Sequence, residues 1–288
     1  FINHCAAKED GDGFLHVLNE MHHEANQALY NDNKNLKREM HLLISPDPFT
    51  KFSHIQDWHP KTKADRGLKN ELVCKYWMTR VDMLAFKVGN PDQQKQIIEK
   101  YQDPDFELKA DCLPVFIYDV DKIDPVKANA GLFLSPFLIR CAQYILTGPT
   151  SVGQPPKLKP VVSATVRGDN AHIMRIAEVT PPFIFYVCCV ARFAMSTVPY
   201  WGEWDGSFSL FEFWDQLEYS FNDQSGAWQR NVLRFWNLKV FGAARGRGDY
   251  PVAVRRPQVE SDSDVLRRQR DEERAAEAAA AVIFSDDA

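Results

Sequence analysis

The stretch VTPPFIFYVCCVARFAMSTV, residues 179–198, decides how the chain is read. Thr180 stands at an N-cap position and Pro181 in the first helical turn, where proline's missing N–H goes unnoticed. On a wheel of about 100° per residue, positions 183–198 are apolar in nearly every direction, with Cys189, Arg192 and Ser196 forming only a narrow stripe. A helix of that kind is enclosed on most sides. The nine apolar residues before Arg192 fall short of the roughly 20 that cross a hydrocarbon slab, so no membrane span is predicted. Cys188 and Cys189 point about 100° apart on such a helix and read as small hydrophobes packed in a core. An activated thiol needs exposure and a base, and the nearest histidine in sequence is His172, ahead of the helix.

Working outward from this segment, helices supply the apolar faces it must meet. SPFLIRCAQYILTGPTS, from Ser135, has an N-cap serine, a proline in the first turn and Gly148 with Pro149 at its end. Residues 148–160 read as loop. Downstream, Ser209 and Glu212 have capping-box spacing ahead of a stripe of Leu210, Phe213, Trp214, Leu217 and Phe221. Ser225 precedes Trp228, Val232, Phe235 and Trp236, which share one helical face.

Upstream, on a helix from Gly13 to Tyr30, Val17, Leu18, Met21, Ala25, Ala28 and Leu29 fall within about 60° of Phe14. A second helix carries Leu36, Met40 and Leu43 to Ile44. The opposite face of the first carries His16, Glu20 and His23, whose i, i+4, i+7 spacing could clip a metal, but is read as solvated; His54, Asp57 and His59 are read as loop residues beside Trp58 and match no metal signature. A helix is expected from Asp65 to about Phe86, with Leu68, Leu72, Val73, Tyr76 and Trp77 inward, and a shorter one from Asn90 and Pro91 with Ile97 and Ile98. Val115 to Tyr118 is expected as a strand or extended segment, followed by a turn rich in aspartate (Asp119, Asp121, Asp124) that lacks the glycine and glutamate of a calcium loop.

After Phe241 the composition shifts. GAARGRGDYPVAVRRPQ carries Arg245, Arg247, Arg255 and Arg256 and reads as a flexible linker. Residues 258–288 carry nine acidic residues against four arginines, and the run from Asp264 to Phe284 reads as a charged helix able to dock on a partner.

The totals fit this layout. The chain has 288 residues, 45% of them hydrophobic, enough for a large core. Its formal charge of −5, from 34 basic and 39 acidic residues, argues against a surface built throughout for nucleic acid. Six cysteines without CxxC spacing favour a reducing, intracellular compartment, nuclear or cytoplasmic. There is no GxGxxG after a strand, no GxxxxGK[ST], no GxSxG and no HExxH, so no cofactor and no metal is expected.

Several blocks taken together resemble a known family. KADRGLKNELVCKYW, LKADCLPVFIYD, GLFLSPFLIRCAQYILTGPTS, ATVRGDNAHIMRIAEVTPPFIFYVCCVARFAMS, FEFWDQLEYSFND and VLRFWNLKVFG are similar, in order, to the blocks of an uncharacterised domain family expanded in mushroom-forming basidiomycete fungi. The resemblance spans roughly residues 61–242 and rests most on Ala164, Thr165, Asn170, Ala171, Val179, Thr180, Pro181, Arg192 and Phe193. Where this chain has Arg167, Gly168, Asp169 and Asn170, the family typically has serine, glycine and asparagine. The resemblance implies no catalytic residues, and the family's copy number implies, by analogy, a link to mobile elements or lineage-specific expansion.

The expected architecture is mainly α: a helical N-terminal extension (1–60), a compact multi-helix core (61–242) with one or two short extended segments, and a flexible tail (243–288) with a charged terminal helix. The leading functional expectation is a non-enzymatic interaction module with a protein partner. A nucleic-acid-binding accessory of a mobile element, acting through Arg245, Arg247, Arg255 and Arg256, is the second. An enzyme with a scattered site is the third, with Arg167, Asn170, His172 and Arg192 as the polar residues to inspect, and whether the chain catalyses anything stays open.

Overall fold

The computed structural model describes residues 11–44, 63–156 and 169–247, all within the unit Phe1–Gly248. Its first element, helix α1 (Gly11–Ile44), runs without a break where two helices were expected. The polar run Tyr30–Asn35 lacks a proline or glycine to stop it, and asparagine and aspartate weaken a helix without ending it. A tertiary bond also holds this run: the Tyr186 hydroxyl donates to the Asp32 carboxylate at 2.7 Å. Leu36, Met40, Leu43 and Ile44 are buried in the main core.

The single helix expected from Asp65 to Phe86 is broken instead. Two 3-10 turns (Lys63–Asp65 and Gly67–Lys69) lead into α2 (Glu71–Trp77) and α3 (Arg80–Val88). Asn70 caps α2 by accepting from the Leu72 and Val73 amides, and Thr79 caps α3 through Asp82. The break has a tertiary cause. The Met78 carbonyl accepts from the Val115 amide at 2.7 Å, and Thr79 bridges to Pro114, so the backbone between the helices serves a distant segment. That segment, Val115–Ile117, is a buried 3-10 turn flanked by two bridges, rather than a strand. The aspartates after it act as turn residues: Asp119 accepts from the Asp121 amide, and Asp124 from those of Val126 and Lys127.

The remaining helices follow their caps. Asn90 and Gln93 form a full capping box at α4 (Pro91–Gln102). Ser135 caps α5 (Pro136–Thr147), which Gly148 ends. A short α6 (Asn170–Ile173) precedes α7 (Pro181–Met195). Thr180 takes the cap position of α7 but makes no side-chain cap bond, and Pro181 and Pro182 leave the first two helical positions without an N–H to satisfy. Two-residue strands β1 (Trp204–Asp205) and β2 (Phe208–Ser209) form an antiparallel hairpin. It leads into α8 (Leu210–Asn222) and α9 (Gly226–Phe241), capped by Ser209 and Ser225.

Helix α7 packs against α1, α5 and α8, and eleven of its fifteen residues are buried. The expected polar stripe is enclosed as well: Cys189 is 5% exposed, Arg192 2% and Ser196 0%. Phe185 meets Phe133, Trp214 and Phe221 at ring-centroid distances of 5.6–6.1 Å, in tilted to edge-on arrangements. The Trp236 indole N–H of α9 donates to the Phe133 carbonyl at 2.7 Å.

The first part of the expected flexible linker is structured. Ala244–Arg247 is strand β3, packed on α9. Gly246, at φ 75°, lies so close to the Ala177 backbone that an added Cβ would sit 2.1 Å from its carbonyl oxygen. Glycine here permits close approach rather than looseness. Residues 248–288, with Arg255, Arg256 and the expected terminal helix, lie outside the described residues. Among the described residues no helix is long and apolar enough to cross a membrane.

Candidate functional site

The polar residues singled out from sequence occupy different places. Arg167 lies outside the described residues. Asp169 caps α6 by accepting from the His172 amide at 2.8 Å, and the Asn170 side chain donates to the Ile145 carbonyl at 2.7 Å, tying α6 to the last turn of α5. His172 is exposed on this short helix. Arg192 sits on α7, buried against a different set of neighbours. Arg245 is exposed on β3, and the Arg247 side chain lies outside the described residues. So do His54, Asp57 and His59, and the side chains of His16, Glu20 and His23. Among the described residues no three groups are placed to hold a metal ion.

The thiols of the opening stretch are those of a core. Cys188 and Cys189 are free and buried, as are Cys74 and Cys141. Burial pushes the Cys189 thiol up to about 12 and that of Cys188 well above its ordinary value, the reverse of an activated nucleophile.

Arg192 has the more unusual surroundings. Its guanidinium carbon lies 3.3 Å from the centre of the Phe208 ring and 4.3 Å from that of Trp77. Nη2 donates to the Asp205 carboxylate at 3.2 Å, whereas Nε, Nη1 and the Trp77 indole nitrogen have no hydrogen-bond partner among the described residues. Burial holds the Arg192 guanidinium down to about 10, with Asp205 opposing that shift. Asp205 and Phe208 are cross-strand partners in the hairpin, so one pair grips the guanidinium at its edge and on its face. The loop between them is Gly206–Ser207, with Gly206 at φ 66°, as a two-residue hairpin requires.

The same hairpin borders a groove of about 390 Å³. One wall is the loop 107–111; the other is Ser207 and the start of α8. Leu108 and Ala110 are buried, while, among the described residues that line the groove, Glu107, Asp111, Glu212 and Asp215 set four carboxylates against one cation, Lys109. Ser209 accepts from the Glu212 amide, and the Glu212 side chain lines the groove. Large aromatics stand uncovered on this segment: Tyr200 is 82% exposed, Trp204 53% and Phe211 65%. Trp201 is partly anchored, its ring 5.2 Å from that of Phe193.

Sequence reading passed over Trp77, Asp205 and Phe208 as partners of Arg192, and over the hairpin itself. The available signal was WDGSF, an Asp-Gly pair between aromatics. Two-residue strands are too short for alternation to show.

Residues 23–241 match the model of the Family of unknown function (DUF6698). The chain belongs to that family. The DUF6698 match opens inside α1, within the segment set apart from sequence as an extension, and ends at the last residue of α9. It therefore takes in the Arg192 cage, the hairpin and both walls of the groove. No curated protein and no solved structure matches the chain.

Proposed function

We propose that the chain is a non-enzymatic interaction module that receives a basic segment of a partner protein, rich in arginine or lysine, on the face formed by residues 200–216 and the loop 107–111. The observation that carries this reading is the group of exposed aromatics, Tyr200, Trp204 and Phe211, on the segment that borders a groove rich in carboxylates. Uncovered aromatic surface of this kind is characteristic of binding faces, where it supplies contact area with little loss of side-chain freedom. Guanidinium and ammonium groups are attracted to aromatic faces and to carboxylates alike, so one basic segment satisfies both features. Phosphates would meet the repulsion of Glu107, Asp111, Glu212 and Asp215 here, which disfavours nucleic acid as the ligand of this face. The five cysteines among the described residues are free, four of them buried, which supports an intracellular setting, nuclear or cytoplasmic.

The test is fluorescence anisotropy of labelled nona-arginine, nona-glutamate and a mixed-sequence single-stranded RNA against the full chain, at low and moderate salt. Nona-arginine is expected to bind, to weaken as salt screens the carboxylates, and to be lost in the Trp204→Ala/Phe211→Ala variant. Salt-sensitive RNA binding without peptide binding would transfer the function to nucleic acid recognition. Equal binding of nona-arginine by the variant would overturn the assignment of this face.

A further inference from the structure

We propose that Arg192 is a positioning residue, a buried cation whose role is to hold the Trp204–Ser209 hairpin in place rather than to stabilise the helical core. The proposal rests on the binding reading above and adds the device that shapes the binding face.

A two-stranded hairpin is marginal by itself, and this one has only two residue pairs in its ladder. Its hold on the body must come from elsewhere. The residues of one pair, Asp205 and Phe208, both engage Arg192, by an ion pair at 3.2 Å and by stacking at 3.3 Å. One wall of the proposed face is joined to that hold: Trp204 precedes Asp205, Ser207 lines the groove, and Ser209 caps the helix that presents Glu212 and Asp215.

The bonding of Arg192 is poor for a structural cation. Arg66, also buried, donates from both terminal nitrogens to carbonyls, of Ala194 and Lys37, each at 2.7 Å. Arg140 donates Nε to the Leu43 carbonyl at 2.6 Å. The Ala194 and Leu43 carbonyls are among those that α7 and α1 leave open in their last turns, and Lys37 lies within α1. Among the described residues Arg192 reaches no helix carbonyl, and two of its nitrogens, against one of Arg66, have no hydrogen-bond partner. Removing charge from water is costly, and an incompletely bonded buried pair is often replaced by apolar side chains without loss of stability. What an apolar replacement cannot supply is the directional hold on Asp205 and on the face of Phe208.

The test compares Arg192→Met, Asp205→Asn and the double variant in the full chain. Thermal unfolding, hydrogen exchange of the amides of 203–209, and nona-arginine anisotropy are measured on each. Arg192→Met is expected to keep the thermal midpoint while hairpin exchange rises and peptide affinity falls, each on the order of tenfold, the size of a lost desolvated cation–π contact. Asp205→Asn is expected to lower the midpoint, because it leaves the cation alone, and adding Arg192→Met is expected to restore it. Failure of Arg192→Met to fold, or hairpin exchange unchanged in it, would overturn the proposal. If hairpin exchange rises as expected but the wild-type chain binds no nona-arginine, the binding reading fails and the positioning role stands. If the wild-type chain binds nona-arginine and hairpin exchange in Arg192→Met stays at the wild-type rate, the reverse holds.

Discussion

Phe185 and Phe211 are both helical phenylalanines, yet the first is 2% exposed and the second 65%. Phe185 lies among Phe133, Trp214 and Phe221, where its area is fully withdrawn from water. Phe211 opens α8 with its side chain in solvent, on the face that also carries Trp204 and Tyr200. The cations divide in the same way. Arg66 and Arg140 bond to helix carbonyls in the interior, whereas Arg192 reaches out to a hairpin acid. One region uses aromatics and arginines to close a fold, and the other uses them to present a surface. Residue type therefore carries little functional information without the surroundings of each side chain.

The comparison breaks first in the interior. Phe185→Ala is expected to cost about 3–5 kcal/mol, the range for removing a buried phenylalanine, measured by denaturant unfolding. A much smaller cost would mean that the aromatic cluster repacks freely and that the interior is less specific than its geometry implies. Arg140→Met comes next, at about 1–3 kcal/mol, since it strips a buried carbonyl of its charged donor. Arg192→Met should leave global stability near that of the wild type, and the gap between the two arginine variants is the sharpest form of the contrast.

A smaller effect is expected from pH. Burial raises the Asp82 carboxyl, but hydrogen bonds from Tyr101, Lys100 and Thr79 outweigh it, and the net shift is downward. A carboxyl lowered in the fold binds its proton more readily when unfolded, so this contribution is present above the ordinary aspartate range and is lost as pH falls through the folded value. Asp82→Asn should flatten the acid limb of stability in urea titrations between about pH 5 and 3. An unchanged acid limb would remove Asp82 from the interior's polar network. The smallest stability effect belongs to the exposed face. Trp204→Ala and Phe211→Ala should each stay within about 0.5 kcal/mol of wild type, as surface substitutions do, while lowering nona-arginine affinity. A large loss of stability would show instead that these rings serve the fold.

Much of the helical layout was legible from residues. Caps at Asn90, Ser135, Ser209 and Ser225 act where a short polar side chain precedes an apolar period, because capping is a local interaction. The buried reading of residues 183–195 was available for a related reason: side chains that are apolar all round leave a helix no face for water. The break at Met78 and Thr79 was not legible, since its cause is a bond to Val115 far along the chain. Nor was the enclosure of Arg192, as an arginine on an apolar helix reads as a route to solvent until something covers it. Asn170 was a plausible reacting group by type, and its bond to Ile145 makes it a tether between two helices.

By itself, then, the sequence determined that the protein is mainly helical, where most of its helices begin, and that the helix within residues 179–198 runs through the centre of a core. These features follow from periodicity and capping, which act within a few residues. Tertiary structure alone decided where α2 ends, that Val115–Ile117 is a turn, that Gly246 serves close packing, and that Asp205 and Phe208 clasp Arg192 beside a groove rich in carboxylates. Each of those depends on contacts between segments distant in the chain, and a side chain's role as core, tether or surface is set by what the fold brings against it.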